Sequence, residues 1–269
     1  MHRPFLFLGL ATAGALAPLV VPDPAAEHYC YTQWDDNSAI DNAPYDGRFT
    51  FFRVRFEPSF GGGGGGGRFG RRGVDKKWDH DTPRAERHLM KILEEITMLR
   101  PKMDCGAVYA FGEAESFKYP IAYVSEPGFW TMDETELKGI REYVAKGGFI
   151  IFDDFFGPHW YNFEERWREA FPELQLQPIP RTHPLFDTFY DIRNTQLFYQ
   201  GGGGVQGAAA EFYGAYEDND PTKRLVAIAG YNSDLGELME FSDEGLVPID
   251  LSNEAYKIMV NYMIYAMTH

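Results

Sequence analysis

The sequence predicts an α/β fold: one domain built on a doubly wound parallel sheet. Three observations predict it. Strand-like and helix-like segments alternate along the chain from residue 46 onward, the pattern of parallel strands joined by helical crossovers. Between Thr131 and Phe152 a capped helix, a Gly-Gly stop and an unbroken apolar strand follow one another, which completes a strand–helix–strand unit. The chain has 269 residues, 44 % of them hydrophobic, enough for one core of that class, and neither an internal repeat nor a linker divides it.

Arg3 precedes an apolar run from Phe5 to Val21, and small and polar residues follow. This is a secretory signal pattern. The run is short for a membrane span, and Pro18, Pro22 and Pro24 break it as a helix. Residues 1–26 are therefore expected to be a signal peptide, with an uncleaved N-terminal anchor as the alternative. The protein is expected to be exported to the periplasm or cell envelope. Residues 27–45 read as a polar lead-in and residues 46–269 as the domain.

Within the domain, Arg48 to Phe56 alternates apolar and basic side chains, the period of a strand. The glycine run Gly61–Gly67 lies in a flexible loop spanning 59–77. It lacks the spaced glycines and terminal Gly-Lys-Ser/Thr of a phosphate loop. Thr82 as N-cap and Pro83 as first residue start a helix that buries Ala85, Leu89, Ile92, Leu93 and Ile96. Gly106–Phe111 and Pro120–Val124 read as strands. Thr131 and Glu134 form a capping box ahead of the stripe Leu137, Ile140 and Val144, and Gly147-Gly148 ends that helix. Phe149–Phe152 is the central strand. A helix over Tyr161–Ala170, a loop tip at Gly201–Gly204, a strand at Leu225–Ala229 and a last helix capped by Ser252 complete the chain.

Lys and Arg number 25 against 40 Asp and Glu, a net charge of −15. Nucleic-acid binding needs a basic footprint and is excluded as a class. The acidity is concentrated: Glu211 to Glu254 holds eleven acidic residues against Lys223 and Arg224. Two cysteines cannot build a disulfide framework or a four-sulfur zinc site. Cys30 and Cys105 read as two partly buried thiols, with a bridge between them as the alternative.

Several motifs occur in series: Asp46-Gly47-Arg48-Phe49-Thr50-Phe51-x-Arg53, Trp78-Asp79-x-Asp81-x-Pro83-Arg84-Ala85, Tyr119-Pro120-x-x-Tyr123, Gly147-Gly148-Phe149-x-x-x-Asp153-Asp154, Phe171-Pro172 and His183-Pro184-Leu185-Phe186. Together, over residues 46–268, they resemble the bacterial domain of unknown function 4159. That family is in turn similar to the class I glutamine-amidotransferase-like superfamily. The resemblance implies a three-layer, flavodoxin-like fold and no established activity. In an amidotransferase the turn after the central strand carries a nucleophilic cysteine. Here that turn carries Asp153-Asp154, and Cys105 comes too early in the chain. A Cys-His-Glu amidohydrolase is therefore not expected.

Asp153 and Asp154 follow a central strand, where open α/β sheets bind ligands. Paired carboxylates there can hold a divalent cation or share a proton, with His159 and His183 as further ligands. The bland alternative is one aspartate capping the next turn and the other solvated. Asp79, Asp81 and Arg84 at a helix start either line a cleft or cap the helix and pair with one another, and the second reading is favoured. Trp130, Trp160, Tyr161 and Trp167 either stack on sugar rings or pack the core, and packing is favoured. No cofactor is expected beyond a divalent metal. The leading expectation is a non-catalytic envelope module that binds a small-molecule or saccharide ligand or a protein partner. The alternatives are an exported hydrolase acting on saccharides through Asp153, Asp154 and His183, and a structural subunit of an envelope assembly.

Overall fold

The apolar run that starts at Phe149 becomes the middle of a seven-stranded sheet because both its faces must be covered. The structure, a computed structural model, describes residues 40, 42–59, 75–103, 105–198 and 207–269. Residues 1–26, most of the lead-in, Cys30, the glycine run and the Gly201–Gly204 tip lie outside the described residues. The strands are β1 (Phe52–Val54), β2 (Ala107–Tyr109), β3 (Ile121–Ser125), β4 (Phe149–Phe155), β5 (Gln177–Pro178), β6 (Glu211–Tyr216) and β7 (Leu225–Tyr231), in the order β2-β1-β3-β4-β7-β6-β5. The helices are α1 (Arg84–Ile96), α2 (Glu134–Ala145), α3 (His159–Ala170), α4 (Leu235–Glu240) and α5 (Ile249–Thr268).

The five strands from β2 to β7 are parallel. The expected all-parallel sheet is corrected at one edge, where β6 runs antiparallel to β7 and β5 antiparallel to β6. The reason is the connection Glu217–Arg224, whose Asp218 and Asn219 are left-handed. It is too short for a crossover and closes a hairpin instead.

Alternation along each strand divides the apolar side chains between two cores. On one face Phe51, Tyr123, Ile151 and Ile228 pack with Leu89 and Leu93 of α1, Leu238 of α4 and Ile258 and Met259 of α5. On the other, Phe52, Val124, Ile150, Phe152 and Ala227 pack with Ile140 of α2 and Phe163 and Trp167 of α3. Helices thus cover both faces. Trp130 and Trp167 are fully buried, whereas Trp160 packs against Phe155, Tyr213 and Tyr231, and Tyr161 is 74 % exposed.

Four local expectations shift. Thr82 does not cap α1, which starts at Arg84 after Pro83 and has no side-chain cap. The capping box of α2 is Asp133 with Glu136, not Thr131 with Glu134. Asp133 accepts from the Thr135 and Glu136 amides, while the Thr131 hydroxyl donates to the Glu57 carbonyl. Ser252 does not cap α5. The helix starts three residues earlier, and Ser252 lies buried inside it. Strand β4 does not stop at Phe152 but runs on through Asp153 and Asp154 to Phe155, with an irregular register against β7. Cys105 is disulfide-bonded, which corrects its reading as a thiol.

Candidate functional site

Strand β1 lies between β2 and β3, and the helix after β1 covers one face while the helix after β3 covers the other. That makes the β1/β3 boundary the switch point of the sheet, the place where open α/β folds form a ligand crevice beyond the strand ends. Four segments lead into it: residues 75–81 ahead of α1, Glu126 after β3, Asp154 near the end of β4, and Asp234 after β7.

A buried chain of polar contacts holds these segments. Arg53 of β1 is 1 % exposed. It donates to Glu86 Oε1 (2.6 Å) and to the Trp78 carbonyl (2.9 Å), and its guanidinium lies over the Tyr123 ring. The Trp78 contact fixes the segment that carries His80 and Asp81. The Tyr123 hydroxyl in turn donates to Asp153 Oδ2 at 2.9 Å. Asp153 also accepts from the Ser233 hydroxyl (2.9 Å) and from the Leu235 and Gly236 amides (2.9 and 3.1 Å) at the start of α4. Burial pushes the Asp153 carboxyl up, and these hydrogen bonds oppose it. Asp153 is thus a structural clasp between the sheet and α4.

Asp154 is a different residue in kind. Its φ is +60, it is 7 % exposed, and its carboxylate meets other carboxylates. Oxygens of Asp81, Asp154 and Asp234 all lie within 4.8 Å of one another, and so do ligand atoms of His80, Glu126 and Asp154. Burial pushes Asp154 well above the usual carboxylate range, and Asp234, Glu126 and Asp81 push it further. Burial does the same to Asp81 and to Asp234, each raised further by acidic neighbours. Asp81 is 5 % exposed and keeps one oxygen, Oδ2, without a hydrogen-bond partner. Gly236 packs directly against that carboxylate, where a Cβ would collide with Oδ2.

Two cations stand at the rim. His80 Nε2 lies 2.9 Å from Asp75 and Nδ1 2.5 Å from Glu126. Burial disfavours the charged ring, but these two carboxylates, with Asp81, push its pKa up to about 10. Lys77 pairs with Asp75 at 2.8 Å and Glu126 at 3.3 Å and sits over the Phe129 ring. Left-handed backbone gathers here too. Lys77, Asp81, Glu126, Asp154 and Asn232 all have positive φ, a conformation that costs non-glycine residues of order 1 kcal/mol each and clusters at functional sites.

The residues expected from sequence divide sharply. Asp81 and Asp154 converge. Asp153 is adjacent but committed to α4, so neither half of the alternative holds: Asp153 ties down α4 rather than the next turn, and Asp154 is buried rather than solvated. Asp79 is buried beside the cluster and is not among the grouped ligands. The expected pairing of Arg84 with Asp79 or Asp81 is corrected: Arg84 pairs with Asp243 and Glu244 beyond α4. The side chain of Asp81 does not cap α1. It turns into the crevice because its own left-handed backbone redirects it. His159 opens α3 with its ring against Phe129 and Phe156, at the edge of the site. Burial lowers its pKa, and its Nδ1 has no hydrogen-bond partner.

His183 is not in the site. Its ring packs on Tyr216 and Tyr265 and its Nδ1 accepts from the Leu185 amide. Tyr216 faces the first residue of β7, and Tyr265 packs on the first residue of β4, so His183 lies at the opposite end of the strands. The metal candidate set Asp153, Asp154 and His183 is therefore corrected to Asp81, Asp154 and Asp234, with Glu126 and His80. Sequence reasoning missed Asp234, Glu126 and His80. The acidic concentration between Glu211 and Glu254 pointed toward Asp234. His80 stood between the two aspartates already singled out.

No curated protein matches the chain. Residues 68–267 match the family described as a domain of unknown function, DUF4159. That match covers most of the chain, including every residue grouped in the crevice, and the chain belongs to the DUF4159 family.

Proposed function

We propose that the protein is an exported binding module of the cell envelope whose crevice takes up a divalent cation and, through it, an oxygen-rich ligand. The observation that carries this reading is the convergence of Asp81, Asp154 and Asp234 within 4.8 Å, the first two buried and the third half-buried, with an Asp81 oxygen left unpartnered. Buried carboxylates in mutual contact are costly unless a cation compensates them. An all-oxygen group of this kind suits hard cations such as Ca²⁺, Mg²⁺ or Mn²⁺. The disulfide at Cys105 and the N-terminal signal pattern support export, since disulfides persist in oxidising compartments. The strand order β2-β1-β3-β4-β7 supports the flavodoxin-like, amidotransferase-like ancestry, with Asp154 on strained backbone near where that superfamily keeps its nucleophile.

The hydrolase reading through Asp153, Asp154 and His183 loses two of its three residues, and two of the four aromatics proposed to stack on sugars are core. Thermal unfolding of the purified protein in chelator, then with Ca²⁺, Mg²⁺, Mn²⁺ or Zn²⁺, tests the binding reading. A cation at about a hundred times its Kd stabilises by about 2.7 kcal/mol, several degrees in Tm, and Asp154→Asn removes that rise. Stabilisation by none of the four cations would overturn the proposal and favour a structural subunit.

A further inference from the structure

We infer that the crevice is built for two divalent cations, bridged by the Asp154 carboxylate. The inference rests on the cation-binding reading above and deepens it.

Asp154 is common to both ligand groups. One side offers Asp81 and Asp234, and the other offers Glu126 and His80. A carboxylate has two oxygens, and one carboxylate shared by two ligand sets is the geometry of a bridged pair. The two halves differ in chemistry. The first is all oxygen, and the second mixes a ring nitrogen with oxygens, a set that suits Mn²⁺ or Zn²⁺.

Two observations besides the acidic cluster point to a ligand. Asp81 is nine-tenths buried with an unpartnered oxygen, and Gly236 leaves it just the room it occupies. On the other side, His80 Nε2 is held by Asp75 at 2.9 Å while Nδ1 faces Glu126. A carboxylate behind the outer ring nitrogen is the usual support for a metal-ligating histidine, and a cation seated here would replace the proton that Nδ1 now shares with Glu126. Asp75 is itself engaged by Lys77. The four remaining carboxylates, Asp81, Asp154, Asp234 and Glu126, carry the charge that two divalent cations balance.

Mn²⁺ suits both halves and reports its own surroundings. Equilibrium dialysis of the purified protein is expected to give two Mn²⁺ per chain, and electron paramagnetic resonance a spin-coupled pair. His80→Gln and Asp234→Asn should each leave one ion, and Asp154→Asn should weaken both at least tenfold. One ion per chain with an uncoupled six-line spectrum would overturn the pair and leave the single-cation reading standing. No bound ion would overturn both. The stoichiometry and spectrum of the unaltered protein decide the matter even if a variant fails to fold.

Discussion

The two ends of strand β4 lie in the same sheet between the same helices, yet they treat buried polar groups in opposite ways. At the N-terminal end the buried side chains of Asn261 and His183 have neutral partners. Asn261 is fully buried and complete: its Oδ1 accepts from the Tyr190 amide, and its Nδ2 donates to the Leu185 and Tyr190 carbonyls. His183 is tied to a backbone amide and two rings. At the C-terminal end carboxylates crowd one another on left-handed backbone. The first arrangement stabilises the fold, and the second costs stability that only a function repays. The contrast separates structural from functional polarity without reference to any ligand.

The largest effect should come from the N-terminal end. Asn261→Leu keeps the volume but strands one amide and two carbonyls in the core. At roughly 1–3 kcal/mol per unsatisfied group, a loss of about 4 kcal/mol is expected in denaturant unfolding. The Tm increment on adding cation should be unchanged. A loss under about 1 kcal/mol would show that this end is not held as described.

The sharpest version of the contrast lies between adjacent residues. Asp153→Asn turns an acceptor of four hydrogen bonds partly into a donor that faces other donors. It should cost about 2 kcal/mol. Asp154→Asn removes a buried charge from among like charges, and in chelator at pH 8 it should stabilise by about 1 kcal/mol. Opposite signs for neighbouring, chemically identical substitutions are the expected result. The same sign for both would break the distinction between clasp and ligand.

The sequence made the layers legible because apolar periodicity reports burial directly. Ile140 and Val144 lie on the buried side of α2 as their spacing requires, and Phe149–Phe152 is central because it is apolar on both faces. It made Asp153 and Asp154 legible as a pair but not as opposites. Their difference comes from one backbone dihedral, the positive φ of Asp154, and from α4, a six-residue helix whose amides select Asp153. Neither leaves a periodic trace. His183 misled for a related reason. His-Pro signals an extended backbone, but which end of a sheet a loop returns to is set by topology, and the antiparallel edge was not visible in the pattern.

The smallest effect concerns pH, and it sets the two ends against each other once more. Glu240, on α4 beside the crevice, has its carboxyl pushed up to about 7, first by burial. Arg84 opposes the shift, and Glu237 and Glu86 add to it. A carboxyl whose folded pKa lies above its unfolded value of 4.5 binds its proton more tightly in the fold. Its contribution is complete below pH 4.5 and lost as pH rises through about 7. Glu240→Gln should therefore reduce the stability lost between pH 5 and pH 8 by about 1 kcal/mol, after allowance for solvent screening. His183 works in the other direction. Burial lowers its pKa below 6.5, so its contribution is present above that pH and lost as pH falls. His183→Gln should flatten the acid limb of the stability profile and leave the limb near pH 7 alone, whereas Glu240→Gln should do the reverse. Both variants acting on the same limb would mean that the two ends of the sheet are not electrostatically separate.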